Sequence, residues 1–286
     1  MKNDAKVLQK LLKDPSILDP STRFYRDFLD TLLEHKINEQ EGYEPILKDK
    51  VNYIGIEVEC FSPLGEIDVL ELVLAHDLED HINITDDGSI DPDNGESSYE
   101  FRILSTEKEL PTVFKKLKAF FKEGKFNTNE TCGLHVHLDM RNRNVNKCYE
   151  KLLKFQHIIF PLVDHSRWIN EYCGWSTKNN KEYRRMTAIN YTAYDKHKTI
   201  EVRLHQGTTN VRAIENWVKL LLKAIESAPV KEINSKADAI RWAAKDKQLK
   251  SYIRKEFDSA WFKSKDKVMD GYKSRNDDGD YDPDVA

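Results

Sequence analysis

The run Gly55-Ile56-Glu57-Val58-Glu59 constrains this chain more than any other segment. Apolar residues alternate in it with carboxylates, and an extended strand places residues i and i+2 on one side. Ile56 and Val58 can then face a core while Glu57 and Glu59 face away from it. Gly133-Leu134-His135-Val136-His137 and Ile200-Glu201-Val202-Arg203 share the pattern with different chemistry. Set side by side, three such strands line one surface of a sheet with carboxylate, imidazole and guanidinium groups, and the opposite surface stays apolar.

Helical periodicity surrounds these strands. Phe24, Phe28, Leu29, Leu32 and Leu33 recur at helical spacing behind Pro20-Ser21-Thr22, which predicts an amphipathic helix before the first strand. Strands are expected at Tyr53 to Phe61, Ile82 to Ile84, Ser98 to Leu104, Leu134 to Met140, Ala188 to Tyr191 and Thr199 to His205. Helices are expected over Asp68 to Leu78, after the Thr106/Glu109 capping box, over Lys147 to Ile159, after Gly207-Thr208-Thr209-Asn210, and after Ser235. This is a mixed α/β order: a helical extension over residues 1–50, a catalytic domain over 51–230, C-terminal helices over 231–265, and an acidic, flexible tail over 266–286. The stretch from Trp168 to Arg185 reads as a lid over a site or as a packed irregular connection.

Charge narrows the partners. The last 17 residues hold six Asp against Lys273 and Arg275, which accounts for the whole formal net charge of −4. The remainder balances to zero, so no basic domain suggests nucleic-acid binding. No apolar run reaches the roughly 18 residues of a membrane span, and residues 1–15 lack the apolar core of a signal peptide. Cys60, Cys132, Cys148 and Cys173 are too few and too widely spaced for a disulfide scaffold, which points to reduced thiols and a cytoplasmic compartment.

The polar strand positions carry the chemistry. Same-side Glu57 and Glu59 repel unless a cation lies between them, and carboxylates of this kind suit Mg²⁺ or Mn²⁺. A plain solvent-facing strand side is the bland alternative. His135 and His137 are compatible with zinc, with a hard metal, or with hydrogen bonding to a substrate carboxylate. Glu201 and Arg203 form a structural ion pair, or else one metal ligand and one phosphate clamp. His205 continues that polar side, and Gly207-Thr208 offers a possible anion-binding corner. Glu100 sits in an apolar-aromatic strand, where an unpaired carboxylate is costly, with Arg102 as its candidate partner. Arg184 and Arg185 are either receptors for an anion or surface residues. Cys132 has no obvious activating group to make it a nucleophile.

In order, Gly55-x-Glu57-x-Glu59, Asp87-Gly88-Ser89 with Glu100, Gly133-x-His135-x-His137, and Glu201-x-Arg203 before Gly207-Thr208 resemble the amidoligase family over roughly residues 51–226. That family is a branch of the carboxylate-amine ligases with a glutamine-synthetase-like catalytic fold. The resemblance implies an α+β fold whose curved, mainly antiparallel sheet has helices packed on one face. It also implies an ATP-dependent ligase that joins a small-molecule or peptide carboxylate, or a protein substrate, to an amine through an acyl phosphate. By this analogy Glu57, Glu59, Glu100, His137 and Glu201 hold Mg²⁺ or Mn²⁺, with Glu57 toward the nucleotide and Glu59 toward the substrate. Arg203, Arg184, Gly207 and Thr208 then contact ATP, while Glu59, Arg203, Arg185 and His135 serve the transfer itself. Thr199 stands where the glutamine-synthetase pattern has an arginine, and Arg184 or Arg185 would substitute for it.

Two other classes compete. A metal-dependent hydrolase of amide or peptide bonds predicts metal dependence without nucleotide, since histidines and carboxylates on strands also build catalytic zinc sites. A non-enzymatic binding protein predicts merely solvated polar faces. Oligomeric state is open on sequence grounds.

Overall fold

The computed structural model describes residues 47–48, 50–85, 87–92, 95–181, 184–227 and 233–268. The expected helix over Phe24 to Leu33 and most of the acidic tail lie outside them. The described chain runs β1 (Tyr53–Ser62), α1 (Glu66–Ala75), β2 (Ile82–Thr85), β3 (Ser97–Thr106), α2 (Leu110–Glu123), β4 (Gly133–Asp139), α3 (Val145–Ile159), β5 (Ile189–Asn190), α4 (Ala193–His197), β6 (Thr199–Gln206), α5 (Val211–Glu226), α6 (Lys236–Trp242) and α7 (Lys247–Glu256).

All six strands join one antiparallel sheet in the order β2-β3-β1-β4-β6-β5. The three strands of alternating polarity, β1, β4 and β6, are adjacent at its centre. Ile54, Ile56 and Val58 of β1, Leu134, Val136 and Leu138 of β4, and Ile200 and Val202 of β6 are essentially inaccessible and belong to one core. Helices cover that apolar face, as expected. α2 lays Val113, Phe114, Leu117, Phe120 and Phe121 into the core, and α5 lays Ile214, Trp217, Val218, Leu221 and Ile225 there.

Local chemistry explains the element ends. Thr106 and Glu109 pair just before α2 and make half of the expected capping box, with Glu109 N donating to the threonine hydroxyl at 3.2 Å and that hydroxyl, in place of the Thr106 N–H, donating to the Glu109 carboxylate at 2.7 Å. Asn210 and Ser235 cap α5 and α6 by accepting backbone N–H groups. Gly124 ends α2 because Phe126 folds back over it, and a Cβ there would stand 2.0 Å from the ring. That ring closes an aromatic cluster with Tyr99, Phe101, Phe120 and Phe121.

The architecture corrects one expectation. The fold is α+β with helices on one face, but the sheet is open and uncurled, with β2 and β5 as unjoined edges. It is not the curved, glutamine-synthetase-like sheet that the resemblance implies.

Candidate metal site on the polar face of the sheet

The face opposite the helices gathers the polar strand residues. His135 lies across from Glu57, His137 from Glu201, Glu59 from Glu100, and Asn190 from Glu201. This face is not merely solvated: Glu59, Glu100, His135, Glu201, Arg203 and Asn190 are all buried. Buried charges are tolerated only when paired, and here each one has a partner.

Glu57, His137 and Glu201 each offer one ligand atom within 4.8 Å of the others, a geometry able to hold a divalent metal ion. His137 Nδ1 shares a 3.0 Å hydrogen bond with the Thr199 hydroxyl, which fixes the ring and turns Nε2 toward the carboxylates. That Nε2 is 3.3 Å from Glu57 Oε1 and 3.8 Å from Glu201 Oε1. It is buried and has no aligned hydrogen-bond partner. Gly55 makes room for the ring, since a Cβ there would come within 3.1 Å of His137 Cβ. Glu201 is held from both sides, by Asn190 Nδ2 at 2.7 Å and Arg203 Nη1 at 2.6 Å.

Electrostatics follow from this crowding. Burial alone would push the Glu57 carboxyl up, but the charge of His137 and the hydrogen bond with His135 hold it well below the usual range. Burial likewise opposes charge on His137, and Glu57 and Glu201 override it, raising the imidazole to about 9. Glu201 is lowered, its burial outweighed by Arg203 and His137. Glu100 is raised, by burial and then by the charge of Glu57.

The other proposed ligands take different places. Glu59 accepts the backbone N–H of Gly133 and faces His135 Nε2 at 3.6 Å, so it lies on the far side of that ring from Glu57. Glu100 accepts two bonds from Arg102, at 2.9 and 3.2 Å, and one from the Thr85 hydroxyl. The five expected ligands thus divide into a convergent three and a flanking two. The His135 ring lies between Glu57 and Glu59, with Nδ1 3.1 Å from Glu57 and Nε2 3.6 Å from Glu59.

Among the arginines, Arg203 reaches Glu201, and Arg102 comes within 4.0 Å of Glu57. Arg185 is exposed and Arg184 half-buried. The Gly207-Thr208 corner is a packing junction. Gly207 N donates to Cys132 O, a Cβ at 207 would meet Cys132 Cβ at 2.4 Å, and Thr208 Oγ1 accepts Asn210 N. The Asn210 side chain also takes the N–H groups of Arg212 and Ala213 at the start of α5. Cys132 is buried, packed with Phe61 and Ile90, and all four cysteines are free thiols.

His205 departs from the expected side. A β-bulge inserts one extra residue into β6 opposite Leu134/Val136, so His205 pairs with Leu134 on the core side. Its ring packs against Trp217 at 4.8 Å, and burial brings its pKa down to about 4.

The sequence reading missed His197. It sits at the end of the five-residue helix α4, and its ring meets His137 edge-on at 6.0 Å. Lys198 takes a left-handed conformation, φ 56°, which turns the chain from α4 into β6. The segment after Trp168 proves to be a packed connection. Trp168 and Trp175 pack against Trp261, and Arg167 donates to the carbonyls of Leu204 and Arg203.

A cavity of about 590 Å³ lies elsewhere, between α2 and the start of α5. Glu215 is its one carboxylate and its lining has no histidine or cysteine, so the candidate metal ligands are those at the sheet.

No protein-family model and no curated protein matches this chain. With an uncurled sheet and no such match, the assignment to the amidoligase family does not hold, and the ligase and ATP-binding descriptions fall with it. What stands is a Glu57/His137/Glu201 cluster able to hold a divalent cation on a polar sheet face, an arrangement that supports a catalytic role. No helix among the described residues is long and apolar enough to cross a membrane.

Proposed function

We propose that this protein is a metal-dependent hydrolase of amide or peptide bonds, with Glu57, His137 and Glu201 as the metal ligands. The observation that carries the reading is the buried, unaligned Nε2 of His137, aimed between two carboxylates while its other nitrogen is fixed by Thr199. Such a nitrogen is costly without a partner, and a cation supplies one. Two carboxylates and one imidazole suit Zn²⁺ or Mn²⁺, and three protein ligands leave a position for water or substrate.

A metal held there would polarise the scissile carbonyl and lower the pKa of a water molecule. The chain's own residues supply the rest. His135 faces Glu57 with one ring nitrogen and Glu59 with the other, so a proton taken up at Nδ1 can leave from Nε2. Arg203 keeps Glu201 ionised and in place. Arg102, bonded to Glu100 through Nε and Nη2 and half exposed beside Glu57, would offer a developing oxyanion only its remaining N–H groups and its charge. None of these roles needs a nucleotide.

Calorimetric titration of chelator-stripped protein with Zn²⁺ and Mn²⁺ tests the site, and amine release from a panel of peptides and acyl amides tests the reaction. One equivalent of metal is expected, lost in Glu57→Gln, His137→Ala and Glu201→Gln, with cleavage abolished by chelator and indifferent to ATP. Absence of stoichiometric metal, or cleavage that survives Glu201→Gln, would sink the proposal.

A further inference from the structure

The cavity between α2 and the start of α5 is a cationic groove with apolar walls. Lys115, Lys118 and Lys122 of α2 and Arg212 of α5 line it, together with the buried rings of Phe114 and Phe121. The three lysines recur at helical spacing, so they share one face of α2, and all three are exposed. Among the described residues none of them makes a hydrogen bond or an ion pair. Like charges at this spacing destabilise a helix unless a counter-charge meets them. The groove's own carboxylate is otherwise engaged: Glu215 accepts Gln248 Nε2 at 3.1 Å and lies 3.9 Å from Arg212 Nη1.

The complementary charge stands on the same chain. Residues 276–286, which lie outside the described residues, carry Asp277, Asp278, Asp280, Asp282 and Asp284 and no cation. In an extended segment Asp280, Asp282 and Asp284 fall on one side and Tyr281, Pro283 and Val285 on the other. That pattern of acid against apolar matches a groove of lysines and phenylalanines. The path to it is short. Asp258 N donates to Pro161 O, the Asp258 carboxylate meets His165, and Asp164 N donates to the Gln206 side chain, where β6 leads into α5. The chain beyond α7 is therefore anchored at the end of the molecule where α5 begins. At about 3.3 Å per residue, residues 269–286 extend to roughly 60 Å, a length comparable with the whole domain.

We propose that residues 276–286 dock in cis in this groove, their aspartates against Lys115, Lys118, Lys122 and Arg212 and Tyr281 against Phe114 and Phe121. Tethering supplies an effective concentration on the order of millimolar, so individually weak charge pairs suffice. The groove lies among the helices, across the sheet from Glu57, His137 and Glu201, and the inference does not rest on the hydrolase reading.

A nitroxide on full-length Ala286→Cys tests it, since Cys60, Cys132, Cys148 and Cys173 are buried and leave the introduced thiol to react. In ¹⁵N-labelled protein at low salt, the amides of residues 115–122 and 209–212 are expected to lose most of their intensity relative to the reduced label. That loss should disappear at about 0.5 M NaCl, where screening is strong. It should also disappear in Lys115→Glu/Lys118→Glu/Lys122→Glu, whose positions are exposed, and in the chain with the five aspartates of residues 277–284 replaced by asparagine. Circular dichroism checks the fold of both variants, and the asparagine variant decides alone if the lysine variant does not fold. Intensity kept around the groove in wild type, loss centred elsewhere, or loss that survives the asparagine variant would overturn the proposal. Loss on ¹⁵N chains mixed with unlabelled chains carrying the nitroxide would make the occupant a second copy's segment and overturn docking in cis. Intensity kept in wild type, with groove amides shifting on addition of inorganic pyrophosphate, would give the groove to a free anion and overturn it too.

Discussion

His135 stands across the β1–β4 ladder from Glu57, with Nδ1 3.1 Å from that carboxylate and Nε2 3.6 Å from Glu59 on the next same-side position. One imidazole thus separates two carboxylates that would otherwise share a side of one strand. His135→Ala should lower stability by about 1–3 kcal/mol, the cost of leaving buried carboxylates without their hydrogen-bond partner. Adding Glu59→Gln should recover part of the loss, because one of the two facing charges is gone. Denaturant unfolding of the single and double variants checks this, and additive losses would show that the ring is not a bridge.

Thr199 acts on the cluster through His137 rather than by ligating. Its hydroxyl holds Nδ1 at 3.0 Å, and removing such an outer partner typically weakens metal binding by about 10–100-fold. Thr199→Val should therefore keep the one-equivalent stoichiometry while lowering affinity in that range. Thr199→Ser, which keeps the hydroxyl, should restore it. Calorimetry on both variants decides the matter, and an unchanged affinity in Thr199→Val would remove the orienting role.

The contrast between Thr199 and His205 shows what the sequence carries. Alternation in β1, β4 and β6 is a period-2 signal, so the shared polar side of Glu57, His137 and Glu201 was legible before any fold was known. So were the Thr106 and Glu109 pair ahead of α2 and the buried faces of α2 and α5. The bulge was not legible, because an extra residue in β6 is defined only against its partner strand, and it reversed the side of His205. His197 was hidden for another reason: a five-residue helix is too short for helical periodicity. The resemblance to a ligase family drew on the ordered polar residues and carried with it a curved sheet that the structure overturns, because curvature depends on the whole register and not on those residues. Gly207 looked like an anion corner in one dimension and is a contact with Cys132 in three.

His205 gives the fold a pH dependence of definite sign. Its folded pKa is depressed from 6.5 to about 4, chiefly by burial, with Arg167 acting the same way and Gln206 O and Glu256 opposing. Above pH 6.5 the ring is neutral in both states and costs nothing. Between about 6.5 and 4 the unfolded chain takes up a proton that the folded one refuses, so stability falls as the pH falls. A shift of this size is worth on the order of 3 kcal/mol. His205→Leu should flatten the stability profile in that window relative to wild type, as followed by urea unfolding at a series of pH values. A wild-type slope retained in the variant would assign the acid sensitivity to the carboxylates alone.

Gly133 is the position where backbone and site chemistry are most tightly joined. Glu59 reaches its N–H directly, and a Cβ at 133 would stand 2.8 Å from His135 Nε2 and 3.2 Å from Glu59 Oε2. Alanine there must displace the imidazole or the carboxylate, and both are buried with their other contacts fixed. Gly133→Ala should cost about 1–3 kcal/mol, the range for overpacking a close-packed site. Because His137 and Glu201 do not touch residue 133, metal stoichiometry should persist while turnover, which relies on His135, falls. Gly55→Ala makes the complementary case, since its Cβ would meet His137 at 3.1 Å and should weaken metal binding itself. Measuring metal affinity and amide cleavage in both variants separates the two sides of the cluster. Loss of metal in Gly133→Ala with retention in Gly55→Ala would reverse the assignment of His135 and His137.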